Sequence, residues 1–200
     1  MSHSRRIILS LLALLLTACG GEVIIRDTYP TPLVDPLPYR VGVVYSPGFT
    51  DYVYQNNDSK LTFELGSKQL NLYQTVFDAL FQEAVPLSSA SAAATVPQPL
   101  DLVVEPVLQE YAYLAPTETA TDFYAVSLRY QIRLYSGNGD LIGYWPFVAY
   151  GKNRTKLVNR NESLGDATSR ALRDAAAALV SQLRGVIENE QWRRPEEVPG

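Results

Sequence analysis

The chain predicts a single α+β domain, with a mainly antiparallel sheet and two helices packed on one of its faces. Three observations carry that prediction. From Tyr124 to Leu134, apolar and polar residues alternate without a break, the signature of a long strand with one buried face. Gly137-Asn138-Gly139-Asp140 then supplies hairpin chemistry before a second β-rich run. Two amphipathic segments, near 67–84 and 164–187, carry apolar residues at three- and four-residue spacing.

In chain order, Tyr39 to Tyr45 opens as a strand with Val41 and Val43 on one face, and Ser46-Pro47-Gly48 stops it. Phe49–Tyr54 and Lys60–Leu65 flank the turn-rich Asn56-Asn57-Asp58-Ser59 and predict a small hairpin. Ser67 is the expected N-cap of the first helix. Its stripe is Leu70, Tyr73, Val76, Phe77, Leu80, Phe81 and Ala84, ended by Pro86. Residues 86–99 are small, polar and low in complexity, which predicts a flexible surface connection.

Leu102 to Tyr111 resumes as a strand, where Pro106 predicts an edge position or a bulge. Leu114 to Asp122 reads as a loop. The return strand is Leu141 to Tyr150, with Pro146 again pointing to an edge or a bulge. The second helix is expected to begin near Ser163 to Asp166 and to bury Leu164, Ala167, Ala171, Leu172, Ala175, Leu179, Leu183, Val186 and Ile187. The expected order is strand, hairpin, helix, three strands, helix.

The N-terminus is of a different kind. Arg5 and Arg6 precede an apolar run from Ile7 to Leu16, too short for a bilayer span of roughly 20 residues and typical of a secretory leader. It ends in Leu16-Thr17-Ala18-Cys19, which resembles the lipobox of bacterial lipoproteins. The resemblance implies cleavage before Cys19, a diacylglyceryl group on its sulfur and an acylated new amino terminus. It also implies an outer-membrane address, because Gly20-Gly21 follows the cysteine where an aspartate would signal retention in the inner membrane. Two or three acyl chains make a durable anchor, since each buried methylene contributes about 0.8 kcal/mol. The expected layout is a leader over 1–18, a lipidated cysteine and proline-rich segment over 19–38, a domain over 39–190 and a flexible tail over 191–200. Pro30, Pro32, Pro36 and Pro38 favour extended chain. As a free tether it would reach on the order of 50 Å; a docked extended arm is the alternative.

Composition narrows the chemistry. His3 is the only histidine and leaves with the leader, and Cys19 is the only cysteine. The mature chain therefore lacks a His-containing triad or zinc site and cannot form an internal disulfide. No enzyme activity, cofactor or metal is expected. Loss of the leader removes two arginines and no acids, taking the formal charge from −4 to −6. That balance disfavours nucleic acid, whose phosphates require Lys and Arg.

The element order, placed after a lipobox, also resembles small βαβββα envelope lipoproteins such as the lipopolysaccharide-assembly lipoprotein and the auxiliary lipoproteins of lipid-transporting ABC systems. That resemblance implies an accessory role without chemistry of its own. Two readings follow. One is an adaptor of an envelope assembly or transport complex; the other is a carrier or sensor that binds lipid, lipopolysaccharide or peptidoglycan directly.

Candidate binding residues are Arg129, Arg133, Tyr144 and Trp145. The two arginines lie on the polar face of the long strand and, with Lys152, Arg154, Lys156 and Arg160, would form a basic rim for lipid phosphates. Tyr111, Tyr113, Tyr124, Tyr130, Tyr135, Tyr144 and Tyr150 cluster in the same region. Cross-strand packing is the simpler reading for these rings, and recognition of glycan, acyl chain or protein the sharper one. Asp101, Glu105, Glu110, Glu118 and Asp122 are the acids nearest the sheet. A carboxylate pair would need two of them across a cleft.

Overall fold

The computed structural model describes residues 21–26, 28–155 and 159–188. Cys19, Lys156 and the tail from 191 lie outside the described residues. The main sheet has five strands: β2 (Leu37–Val44), β5 (Phe81–Leu87), β6 (Leu102–Leu114), β7 (Phe123–Ser136) and β8 (Leu141–Arg154). Their spatial order is β5-β2-β6-β7-β8. The three long strands are antiparallel, while β2 runs parallel to both β5 and β6, so the sheet is mixed. A smaller sheet, β1-β4-β3, joins β1 (Gly21–Glu22) to the hairpin of β3 (Val53–Asn56) and β4 (Leu61–Glu64). Two long helices, α1 (Gly66–Leu80) and α2 (Arg160–Ala178), cover one face of the main sheet. Beyond Ala178 the helical path continues through a π-type turn, Leu179–Leu183, to Glu188.

The proline expectations hold for a physical reason. β8 is an outer strand, so Pro146 forfeits no ladder bond. The β2 ladder on β6 stops at Val104, and a register shift follows between Leu108 and Glu110. Pro106 thus sits where one side of β6 has no pairing strand.

Several elements differ from the periodic reading. Helix α1 starts at Gly66, so Ser67 is not its cap, and it ends at Leu80 because Phe81 is extended at φ −115° and ψ 153°. Phe81 and Ala84 belong to β5, not to a helical stripe. Inside α1, Leu70 is only half-buried, whereas Gln69 and Leu72 are buried. Residues 47–50 form a helical turn instead of continuing a strand. The connection over 86–99 is not wholly loose. Its 3-10 turn, Ala90–Thr95, buries Ala93 against Val44, Leu100 and Val103 on the outer sheet face. Helix α2 begins three residues before Ser163, capped by Asn159, whose side chain accepts from the Glu162 amide at 3.1 Å.

Residues 21–26 and 28–36 form the docked arm of the two alternatives. Val23 and Ile25 are buried in the main core. From there the chain follows α2 and its helical continuation. The Asn161 amide donates to the Glu22 carbonyl, Ser169 bonds both the amide and the carbonyl of Arg26, and Arg184 donates to the Asp35 carbonyl at 2.7 Å. Gly165 admits this strap, since a Cβ there would collide with the Ile24 carbonyl.

Aromatic side chains fill the layer between sheet and helices. Tyr73 of α1 meets Tyr130 of β7 at 5.3 Å, and Tyr111 of β6 packs on Tyr54 and Phe63 of the small sheet at 4.7 and 4.9 Å. The Tyr111 hydroxyl also bonds Thr168 of α2 at 2.9 Å. Burial pushes the hydroxyls of Tyr73, Tyr111 and Tyr130 well above the ordinary tyrosine range. Their raised values favour the protonated form in the fold, so their contribution is present below the unfolded value near 10 and is lost as pH rises above it. Three such groups give a stability slope of about −4 kcal/mol per pH unit above pH ~10. A spectrophotometric titration should therefore show these phenols ionising together with loss of near-UV dichroism. Smooth titration with the dichroism retained would contradict their burial.

Candidate interaction surface

The alternation of β7 places Arg129, Gln131, Arg133 and Tyr135 on the face away from the helices, and the ladder fixes what stands beside them. Tyr144 lies opposite Arg133, Pro146 opposite Gln131, Val148 opposite Arg129 and Tyr150 opposite Ser127. On β8 these side chains are exposed: Tyr144 56%, Val148 40% and Tyr150 62%. They make an apolar, largely aromatic row on an outer strand. Two large rings left in water three outward positions apart, with Val148 between them, suit a partner that buries them.

Of the four candidate residues, the structure brings three to this face. Trp145 is on the other side. It pairs with Ile132 and stacks on Phe147 at 4.7 Å and 17°, and Phe147 in turn stacks on Tyr130. Adjacent strand residues point to opposite faces, so Tyr144 and Trp145 cannot serve one surface. Tyr111, Tyr124 and Tyr130 are core side chains. The tyrosine cluster is therefore mostly packing, with Tyr144 and Tyr150 as its surface-exposed members.

Of the expected basic rim, Arg129 and Arg133 are paired with acids, while Lys152 and Arg154 are exposed further along β8 and Lys156 lies outside the described residues. The β6–β7 register sets Glu105 opposite Arg133 and Glu110 opposite Arg129, giving ion pairs of 3.3 and 3.2 Å. The Arg129 pair is more than half exposed on both sides, a setting in which such a pair contributes about 0–1 kcal/mol. Glu105 is nearly buried and also accepts the Tyr135 hydroxyl at 2.5 Å. Burial and that bond to Glu105 both raise the Tyr135 phenol. For Arg133, burial pulls the guanidinium down, but the Glu105 carboxylate leaves it raised overall. The remaining acids near the sheet serve structure as well. Asp101 accepts the Arg40 amide at 2.7 Å, and Glu118 accepts the Ala115 amide at 2.6 Å. Among the described residues, no three of His, Cys, Asp and Glu group as metal ligands.

The strand edge itself is blunted. Pro146 has no N–H to offer, and the Tyr150 amide donates to Asp174 of α2 at 2.8 Å. What β8 leaves open to solvent is therefore chiefly its outward side-chain face. A concave feature lies elsewhere: an apolar cleft of about 380 Å³ between the arm and the helices, lined by Tyr29, Leu33, Val34, Leu72, Ala176 and Val180. It opens beside the strap, outside the layer between helices and sheet. Among the described residues, no helix is long and apolar enough to cross a membrane.

No family model matches the chain, and no curated protein matches it in sequence. Among solved structures, a Xanthomonas campestris protein of the DUF330 family is similar with a TM-score of 0.51 and 10% identity, over 84% of this chain and 97% of that one. The likeness is one of fold. A minor lipoprotein from Acinetobacter baumannii aligns at a TM-score of 0.46 and 9% identity, over 76% of this chain and 94% of its own. A hypothetical protein from Chlamydia trachomatis aligns at 0.45 and 10%, over 74% and 96%.

Proposed function

We propose that this chain is a non-catalytic bacterial envelope lipoprotein, anchored at Cys19 and acting as the adaptor of an assembly or transport complex. Its partner is a protein that covers the outer face of β7 and β8. The observation that supports this reading is the exposed row Tyr144, Val148 and Tyr150 beside two arginines already paired with β6 acids. Such a surface suits an apolar partner better than a phosphate-rich one. The motif Leu16-Thr17-Ala18-Cys19 supports the anchor, and Gly20-Gly21 supports an outer-membrane address.

Photo-crosslinking from position 148 should join the chain to one protein, with no product from the exposed Gln74 on the helical side. Paired Tyr144→Glu and Tyr150→Glu substitutions should weaken that capture roughly tenfold or more while leaving the melting temperature nearly unchanged. Undiminished capture by the paired variant would remove this face from consideration. For the anchor, Cys19→Ser is expected to abolish acyl labelling and release the protein from membranes; label retained on that variant would contradict the lipobox.

A further inference from the structure

The strap that replaces the expected tether fixes where the membrane lies relative to the fold. Gly21 is already part of the small sheet, its amide donating to the Lys60 carbonyl at 3.1 Å, and the Val23 amide donates to Thr62 at 3.0 Å. Cys19 is two residues upstream. Extended chain spans at most about 3.6 Å per residue, so the sulfur-bearing residue lies within ~7 Å of Gly21, whatever path it takes. The prolines that would have given reach lie beyond this point: Pro30, Pro32 and Pro36 within the arm, whose backbone bonds α2 and its continuation at Arg26 and Asp35, and Pro38 within β2.

Gly21 marks one end of the molecule. Next to Lys60, the Ser59 hydroxyl bonds Tyr113 at 2.9 Å, which brings in the end of β6 at Leu114. Asn161 at the start of α2 reaches the Glu22 carbonyl. Thr155, just after β8, donates to the Asp122 carbonyl at 2.8 Å beside the start of β7 at Phe123. This end carries the exposed apolar tips Leu114 and Phe123, 51% and 41% accessible. The Arg154 guanidinium lies 5.8 Å from the Phe123 ring.

Resting on the lipidation of Cys19 proposed above, we infer that this end is a membrane-seating surface. It presents Leu114 and Phe123 to the headgroup–acyl boundary, with Lys60 and Arg154 at phosphate level. Glu118 and Asp122 share this end of the chain, so the seating is set by the short covalent tie and the apolar tips more than by net charge. β7 leads away from the bilayer, and at ~3.3 Å per residue its far end stands on the order of 45 Å from the lipid.

The test uses the acylated full chain in phosphatidylethanolamine–phosphatidylglycerol vesicles that carry a headgroup-attached quencher. A fluorophore is placed either at Thr121→Cys, exposed beside the start of β7, or at Asn138→Cys in the far turn, Cys19 being blocked by its lipid. Quenching is expected to be severalfold greater at 121 than at 138. Insertion of about a dozen Gly/Ser residues between Gly20 and Gly21 supplies a flexible linker and should bring quenching at 121 down toward that at 138. Equal quenching at the two positions of an acylated chain, or quenching at 121 that ignores the insertion, overturns the inference alone. The mass of the N-terminal peptide separates the two readings: a chain without acyl groups overturns the anchor, and the inference with it.

Discussion

Gly151→Val is expected to destabilise the fold by about 3 kcal/mol or more. Gly151 lies on the inner face of β8, directly beneath α2. A Cβ there would land on the Ala167 carbonyl and the Ala171 amide nitrogen. Both are backbone atoms, so no rotamer change can clear the overlap, and α2 would have to lift from the sheet. Lifting it would open the contacts of Ala167, Ala171 and Ala175, small residues that let the helix lie this close. Gly143, on the same strand, has open space where a Cβ would stand, with no neighbouring atom within 4 Å. Gly143→Ala should therefore stay within roughly 0.5 kcal/mol of the parent. Denaturant midpoints of the two variants check the contrast. A midpoint for Gly151→Val close to the parent's would mean that the helix does not rest on this strand.

The second large effect is expected at Gln69. Its side chain is fully buried, and it joins three elements: the amide donates to the Phe49 carbonyl at 2.5 Å, and its oxygen accepts the Tyr130 hydroxyl at 3.0 Å. Leucine would fill similar space but orphan both partners, each at a cost of about 1–3 kcal/mol. A loss of about 2–4 kcal/mol is therefore expected for Gln69→Leu. Adding Tyr130→Phe should recover part of it, because the hydroxyl left without a partner is then gone. A double-mutant cycle with purely additive terms would show that the two side chains are not coupled.

Both residues show what a sequence can and cannot disclose. The long β7–β8 hairpin and α2 are legible because period two runs unbroken from Tyr124 to Leu134, and small apolar residues recur every three or four positions from Leu164. Strand β5 is not, because Phe81 and Ala84 continue the helical spacing of Phe77 and Leu80 with no glycine to mark the break. Gln69 falls at helical spacing from Leu72 and Tyr73 on the buried stripe, but its polar side chain reads as surface; the Phe49 carbonyl and Tyr130 are what make it a core residue. The arm is equally silent. Its prolines dictate extended chain, but whether that chain is free or docked depends on Asn161, Ser169 and Arg184, far along the sequence. At the candidate surface, alternation alone separates Tyr144 from Trp145 onto opposite faces. The neutralisation of Arg129 and Arg133 needed the β6–β7 register, which no local pattern encodes.

The strap also imposes an order on folding. Arg26 and Ser169 are 143 residues apart in sequence, and the grooves that receive Val23 and Ile25 do not exist until α2 has packed. Contacts of such separation form slowly, since the loop-closure entropy must be met before they stabilise anything. The arm, made early, is therefore seated last. With the lipid proposed at Cys19, the chain would be tethered but unlatched until its C-terminal helix has packed. A chain that loses that helix would keep Leu16-Thr17-Ala18-Cys19 and forfeit the Asn161 and Ser169 contacts that hold the arm in place.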